Sequence, residues 1–469
     1  MSGKSDFLDY EPLTKSGKKD VVTDDEAGVT RSGAVRSEQY EPFRTPDKEP
    51  ADVIPPKAKA VTLAGTEPTQ WVLKSGHLVS FLGLFVFTFL LLFRPYEWNP
   101  SLSWLLNSAL ITAIVTLVVF IPTQLALENR LSFRPREVNL VLLLLVLGLL
   151  SVLFASDKLR AWNGFVGYLK VVVIFIVMVN VVRTPLRLKA ILFLTLIATV
   201  ILSLSAIDDY RSGNLILGGK RIAGVIGNLF DNPNDLALHF VTFFPVVFGL
   251  ALGCRNLLLK MLYFVVAMMI VAGVVVTFSR GGFIGLLAVV GTIVWKLARG
   301  SRLTLVLGGT LLLGLFLIIA PSAYRERIVT SDDSSAARTD ELKRSVYITL
   351  RHPIVGVGMD NFIVYSNREH ATHNSYTQVS SEIGVAGCVV YVMFLIAALK
   401  RAARVSKRDS TATKDLWLSY LGLGLQASLV GFIVTSFFAS VAYLWYIYYL
   451  VGYTICVSRL KETSERRIA

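Results

Sequence analysis

The sequence predicts an all-α polytopic membrane protein with about twelve transmembrane helices. Hydrophobic residues make up 54% of the 469 residues and charged residues only 17%, which differs from the usual composition of a soluble domain. From His77 onward, apolar runs long enough to cross about 30 Å of hydrocarbon follow one another with short polar breaks. The lipid bilayer is therefore the expected environment of most of the chain.

Residues 1 to about 70 are predicted to form a disordered cytoplasmic tail. They mix both signs of charge with Pro, Ser, Thr and Gly, and they show no sustained hydrophobic period. A cleaved signal peptide is not expected, because no apolar segment occurs near Met1. A regulatory or partner-binding tail is one alternative, and a plain solvated extension is the simpler interpretation.

The apolar runs predict helices at 77–93, 101–121, 139–155, 168–182, 188–206, 236–253, 257–278, 282–298, 303–320, 383–399, 415–437 and 440–457. Residues 77–460 form the predicted transmembrane domain, and 461–469 form a short cytoplasmic tail. The helical segments are nearly free of charge, and we see no repeat between the two halves of the chain. Both features argue against a secondary transporter, which usually places charged residues near the bilayer midplane.

Loop charges predict that both termini face the cytoplasm. With the tail inside, every inward loop is basic. These loops hold Arg130, Arg134 and Arg136; Arg183, Arg187 and Lys189; Arg255 and Lys260; Lys296, Arg299 and Arg302; the Lys400–Lys414 cluster; and the Arg459–Arg467 end. The short outward turns contain fewer Lys and Arg residues, which is typical of the outer side of a bacterial inner-membrane protein.

Three segments stand out on the predicted outer side: Asp208–Asp235, the turn Ser279–Gly282, and the long loop 321–382. The loop is too long for a simple connector. It includes an amphipathic stretch, Ala336–Leu350, which predicts a helix at the membrane surface. We therefore expect function to reside in these outward segments.

Neither a metal nor nucleic acid is expected to bind. Cys254, Cys388 and Cys456 lie far apart in or beside apolar segments, so they indicate neither a disulfide framework nor a metal site. The net charge of +14 comes mostly from short loops between apolar runs, not from a basic soluble domain. Membrane topology accounts for this charge better than nucleic-acid binding does.

Candidate chemistry lies on histidines and arginines of the outward segments. His352, His370 and His373 share the large loop, where a histidine is usually just solvated but is also the natural proton acceptor near neutral pH. Arg221 and Arg280 are flanked by glycines that permit tight turns and close approach of the backbone. A snorkelling anchor would not need those glycines, whereas a phosphate site would gain from them.

Four motifs in order along the chain carry a specific resemblance. They are Arg221–Asn228 (RIAGVIGN) with Asn232-Pro233-Asn234, Thr277–Gly285 (TFSRGGFIG), His352–Gly358 (HPIVGVG) with Asn361-Phe362, and His373–Tyr376 (HNSY) with Glu382-Ile383-Gly384. In order and spacing the chain resembles the O-antigen ligase and Wzy-type polymerase family from about His77 to the last helix. Arg94-Pro95-Tyr96-Glu97 adds to the likeness, whereas the tail before His77 departs from it.

The resemblance implies a glycosyltransferase of the GT-C type, with a ligase-related core at about 200–400. Its donor would be an undecaprenyl-diphosphate-linked glycan, its acceptor a saccharide or lipid-linked glycan, and it would need no cofactor or metal. His373 falls at the family's catalytic histidine, and Arg221 and Arg280 at its diphosphate-binding arginines. Asn374, Glu382 and Lys220 are expected to support them. Other polysaccharide-assembly membrane proteins are conceivable partners.

The sequence alone does not distinguish a ligase from a polymerase. A polymerase joins lipid-linked repeats, and a ligase moves finished polymer onto a terminal acceptor; the Ser-Arg-Gly-Gly and His-Asn-Ser-Tyr signatures favour the broad ligase-type assignment slightly. The alternatives outside this family are a multi-pass polysaccharide or small-molecule transporter and a structural scaffold. A scaffold would leave the outward arginines and histidines unexplained.

Overall fold

The computed structural model describes residues 76–105, 107–214, 222, 232–298, 333–366, 371–407 and 416–468. All of them lie in one compact unit, Thr66–Ala469. The long helices are α1 (Leu78–Phe93), α2 (Ser108–Glu128), α3 (Arg136–Leu153), α4 (Lys158–Val181), α5 (Pro185–Ser212), α6 (Pro233–Gly253), α7 (Leu257–Val276), α8 (Arg280–Leu297), α9 (Asp333–Arg351), α10 (Ser375–Ile383), α11 (Val385–Val405), α12 (Leu416–Thr435) and α13 (Trp445–Ile468). Short helical segments of three to six residues occur at Pro95–Trp98, Pro100–Leu105, Phe362–Tyr365 and Ser436–Phe438.

Ten helices among the described residues are long and apolar enough to cross a membrane, namely α1–α8, α11 and α12. They correspond to ten of the twelve predicted helices, which confirms an all-helical, multi-pass architecture for this part of the chain. The predicted helix at 440–457 is present as α13 but is not among those ten, and it begins later and extends further into polar sequence. The predicted helix at 303–320 and the predicted tail lie outside the described residues.

The predicted starts of α4 and α5 were too late, because polar caps begin both helices before their apolar runs. Asp157 caps α4 by accepting a hydrogen bond from the backbone amide of Arg160 at 3.0 Å, so the helix begins at Lys158, ten residues before the predicted start. Thr184 caps α5 in the same way, with Pro185 at the first helical position. Hydropathy alone does not detect such polar first turns.

Helix α6 lies at the centre of the bundle and packs against α7, α8 and α12. Glycines allow the closest of these approaches. A Cβ atom at Gly424 would stand 2.4 Å from the backbone oxygen of Pro245, and one at Gly285 would stand 2.1 Å from Thr435 Cγ2. Larger side chains would force α6, α8 and α12 apart. The first turns of α6 and α8 therefore lie in fixed positions at one end of the bundle.

The amphipathic stretch predicted at Ala336–Leu350 forms helix α9, as expected. Ser345 and Ile348 are buried, whereas Leu342, Val346 and Leu350 are exposed at four-residue spacing. α9 packs on α10, where Thr349 Oγ1 and Ser380 Oγ are hydrogen-bonded at 2.9 Å. An exposed apolar stripe on such a helix suits the predicted location at a membrane surface.

Candidate functional site

Helix α8 begins with a tight turn that presents Arg280. Thr277 Oγ1 accepts a hydrogen bond from the backbone amide of Ser279 at 3.3 Å, and Phe278 between them has a left-handed backbone with φ of 52°. Ser279 is the N-cap, and its Oγ accepts from the amide of Gly282 at 3.2 Å. Arg280 is consequently the first residue of the helix.

Helix α10 begins with the same construction around His373. Thr372 Oγ1 accepts from the backbone amide of Asn374 at 3.3 Å, and His373 between them has φ of 53°. Asn374 is the N-cap, and its Oδ1 accepts from the amides of Tyr376 and Thr377. A left-handed conformation is uncommon outside glycine, so the two caps and two threonines hold His373 and Phe278 in strained positions.

A side-chain hydrogen bond joins the α8 turn to the start of α6. Ser279 Oγ donates to Asn234 Oδ1 at 2.9 Å, and Asn234 Nδ2 donates to Asn232 Oδ1 at 2.9 Å. Asn232 is itself the N-cap of α6. The predicted Asn-Pro-Asn and Ser-Arg-Gly-Gly motifs are thus in direct contact through buried amide and hydroxyl groups.

The connection between α12 and α13, residues 436–444, lies between the starts of α8 and α10. A Cβ atom at Gly281 would stand 2.7 Å from Phe438 Cβ, so the α8 turn packs tightly on this connection. On the other side, Ser375 Oγ donates to the Ala439 oxygen at 2.7 Å and Thr372 Oγ1 is hydrogen-bonded to Ser440 Oγ at 2.9 Å. The structure therefore places Arg280 and His373 on turns that pack against the same short connection.

This connection is recessed within the bundle. The Tyr443 ring lies 5.5 Å from the Tyr168 ring, between centroids. Tyr168 is ten residues into α4, about 15 Å along the helix at 1.5 Å per residue. The two turns that pack against the connection thus form a site partly sheltered by surrounding helices.

The electrostatics of the site favour an anion. α6, α8 and α10 all begin there, and each helix start carries a partial positive charge. Arg280 adds a full positive charge on α8. Asp235 in the first turn of α6 is within electrostatic range of Arg338 on α9, so a second arginine lies near this acidic group.

Residues 264–392 match the family described as O-antigen ligase. Over these residues the chain is similar to O-antigen ligases. The match confirms the predicted resemblance to the O-antigen ligase and Wzy-type family, although it covers well under half of the chain. It includes both turns of the site, with Arg280 and His373. No curated protein matches the chain.

The predicted site residues fall into three groups. Arg280, His373 and Asn374 lie on the two turns described above. Arg221 and Lys220 lie outside the described residues, as does His370. Glu382 is separated from His373, because it is eight residues beyond Asn374 on α10, about 12 Å along the helix.

Glu382 is a buried carboxyl group at the far end of α10. Burial raises its pKa from 4.5 to about 8, and the negative charge of Asp360 adds to the effect. Its backbone oxygen accepts from the amide of Gly358 at 3.0 Å, and a Cβ at Gly356 would clash with the Glu382 backbone. Glu382 and the His352–Gly358 motif therefore dock the loop onto α10, away from the two turns.

Sequence reasoning missed Thr372 and the connection 436–444, and it gave no supporting role to Thr277 and Ser375 within their motifs. The predicted helices at 415–437 and 440–457 left only two residues between them, because the connection is largely apolar. The available signal was Ser436 and Ser440, two small polar residues within that run. The described residues contain no group of three or more His, Cys, Asp or Glu side chains arranged to hold a metal ion.

Proposed function

We propose that the protein is a membrane glycosyltransferase that transfers a glycan from undecaprenyl diphosphate to a saccharide acceptor at the periplasmic face. The observation that carries this proposal is the pair of matching turns, one with Arg280 and one with His373, packed against the same connection. A cation and a proton acceptor held this way suit the departure of a diphosphate and the attack of a hydroxyl.

Arg280 and the three helix starts are proposed to bind the donor's diphosphate. The partial positive charge of a helix start favours an anion, and the guanidinium group can hold two phosphate oxygens at once. The negative charge on the diphosphate grows as the sugar departs, so these groups stabilise the transition state more than the ground state. Arg221 is assigned to the same diphosphate through the resemblance of its motif, and Lys220 is proposed to support it.

His373 is proposed as the general base. The acceptor hydroxyl oxygen attacks the donor's anomeric carbon from the face opposite the diphosphate, and the bond from that carbon to the diphosphate oxygen breaks with inversion. The imidazole takes the hydroxyl proton, and the bonding electrons leave with the diphosphate. No residue becomes covalently attached to the sugar, and the proposed reaction uses no metal.

Asn374 and Thr372 are proposed as positioning residues. The Asn374 side-chain oxygen is occupied by two helix amides, so its role is to fix the start of α10. Thr372 fixes the other side of His373 by bonding to the Asn374 amide and to Ser440. The fixed backbone therefore sets the direction of the imidazole, which a histidine on a mobile loop would not have.

Deletion of the gene, followed by analysis of surface polysaccharide and lipid-linked intermediates, tests the proposal. A glycosyltransferase of this kind leaves glycan on undecaprenyl diphosphate when it is removed. Single repeats on the lipid would indicate a polymerase, and long chains on the lipid would indicate a ligase. Normal polysaccharide with no lipid-linked intermediate would refute both activities.

A further inference from the structure

A groove of about 590 Å³ runs along helix α9, beside the proposed site. Its lining consists of charged and aromatic side chains over one buried aliphatic residue: Asp340, Lys343, Arg344, Tyr347, Ile348 and Tyr365. None of these residues has a role in the proposed transfer step. The groove is therefore a candidate for a separate binding function.

The groove is preorganised, because its walls are tied to neighbouring elements. Arg344 Nη1 donates to the backbone oxygen of Tyr365 at 2.7 Å, which fixes the two walls relative to each other. The Tyr365 hydroxyl is hydrogen-bonded to Ser156 Oγ in the turn before α4. Ile348 packs with Val357 and Phe362 beneath the groove. A ligand would meet walls that need little rearrangement.

The charge facing the groove is mainly positive. Lys343 and Arg344 line it, and the Arg351 guanidinium lies 5.3 Å from the centre of the Tyr347 ring at one end. Asp340 is the one acidic side chain among the described residues of the lining. The neighbouring Glu341 does not line the groove, because it is buried and accepts a hydrogen bond from Ser366 Oγ at 3.0 Å. An anionic ligand is favoured.

We propose that this groove binds a carboxylate-bearing saccharide chain, a substrate class that rests on the proposed glycosyltransferase function. Tyr347 is 56% exposed and offers a flat face of the kind on which the apolar face of a sugar ring packs. Lys343 and Arg344 suit the carboxylates of acidic sugars. Asp340 can accept hydrogen bonds from the hydroxyl groups of the sugar rings.

Helix α9, which carries the groove, interacts with two of the helices that begin at the site. At one end of α9, Arg338 is within electrostatic range of Asp235 in the site. Towards the other end, Thr349 is bonded to Ser380 of α10, the helix that begins beside His373. A chain lying along α9 would thus run beside both elements that frame the transfer site.

Binding of fluorescently labelled oligosaccharides to the full-length detergent-purified protein tests the proposal. The probes are a hexasaccharide of galacturonic acid and the neutral maltohexaose. We expect the acidic probe to bind at least about tenfold more tightly, and its advantage to shrink with added salt. In Lys343→Gln the affinity for the acidic probe should fall about tenfold and that for the neutral probe should hardly change. Tyr347→Ala should weaken both.

Lys400→Gln is the matched control, because it makes the same change on an exposed lysine at the far end of α11. It should bind both probes as the unmodified protein does. The binding measurement uses no donor, so its outcome does not depend on the transfer reaction. Equal affinity for the two probes, or equal losses in Lys343→Gln and Lys400→Gln, would overturn the proposal. So would displacement of the acidic probe by glycerophosphoglycerol at lower concentration than by unlabelled hexasaccharide.

Discussion

Phe278 and His373 adopt the same left-handed backbone conformation, each one residue before the N-cap of a helix and one residue after a threonine that bonds across it. Two turns that lie far apart in the sequence thus share one backbone conformation and one hydrogen-bonding pattern. One presents an arginine at the first helical position, and the other presents a histidine just before the cap. The strain in each turn is held by its threonine and its cap, so both side chains have defined directions.

The role of His373 can be separated from its backbone by replacing it with asparagine. Asparagine tolerates the left-handed conformation better than most residues, so His373→Asn should fold and insert normally. Without a general base, transfer should fall roughly a hundredfold or more, while binding of lipid diphosphate stays nearly unchanged. Transfer and donor binding are measured on the same purified protein. Full transfer by His373→Asn would exclude a proton-accepting role.

The sequence predicts the motifs of the site well and their supports poorly. Thr277-Phe278-Ser279-Arg280 and His373-Asn374-Ser375-Tyr376 were recognisable because their residue types are unusual beside apolar runs. Their shared backbone geometry was not predictable, because a positive φ at Phe278 or His373 depends on a threonine bond that no composition rule indicates.

In the fold, too, some features were predictable from the sequence and others were not. Long apolar runs predicted the ten helices now seen as candidate spans, because burial in lipid requires such runs. The early starts of α4 and α5 and the recessed connection 436–444 depend on polar caps and on packing against Tyr168, which are tertiary features. Helix ends were therefore the weakest part of the prediction.

Arg280 should require its guanidinium group as well as its charge. Arg280→Lys keeps the positive charge and the long stem but loses the planar fork that holds two phosphate oxygens. We expect normal insertion, weaker binding of lipid diphosphate and loss of most transfer activity. Arg160→Lys is the control, since Arg160 is half-exposed and pairs with Asp360 at 3.4 Å. Arg221→Lys is expected to behave like Arg280→Lys. If Arg280→Lys and Arg221→Lys were as active as Arg160→Lys, Arg280 and Arg221 would act only as membrane anchors.

Close packing of Gly281 on Phe438 should matter for transfer. A Cβ at Gly281 would stand 2.7 Å from Phe438 Cβ, so Gly281→Ala must displace the connection that also contacts Thr372 and Ser375. We expect transfer to fall several-fold or more, with insertion retained. Gly291→Ala on the same helix is the control, because nothing lies within 4 Å of the added atom. It should be neutral or slightly stabilising. Identical transfer rates for the two variants would show that the connection does not position the site.

Glu382 should make the stability of the fold depend on pH. Its pKa is about 8 in the folded protein against 4.5 for the free group, because burial disfavours the carboxylate. A raised carboxyl pKa means that the folded state holds a proton that the unfolded state has already lost. The contribution of Glu382 to the free energy of unfolding is therefore complete below about pH 4.5 and is lost as the pH rises through 8.

Glu382→Gln keeps the shape of the neutral group and should flatten this dependence, with the melting temperature falling less between pH 5 and 9 than in the unmodified protein. Glu465→Gln changes an exposed carboxylate and should leave the pH profile as it was. Parallel profiles for Glu382→Gln and the unmodified protein would mean that Glu382 is ionised in the fold.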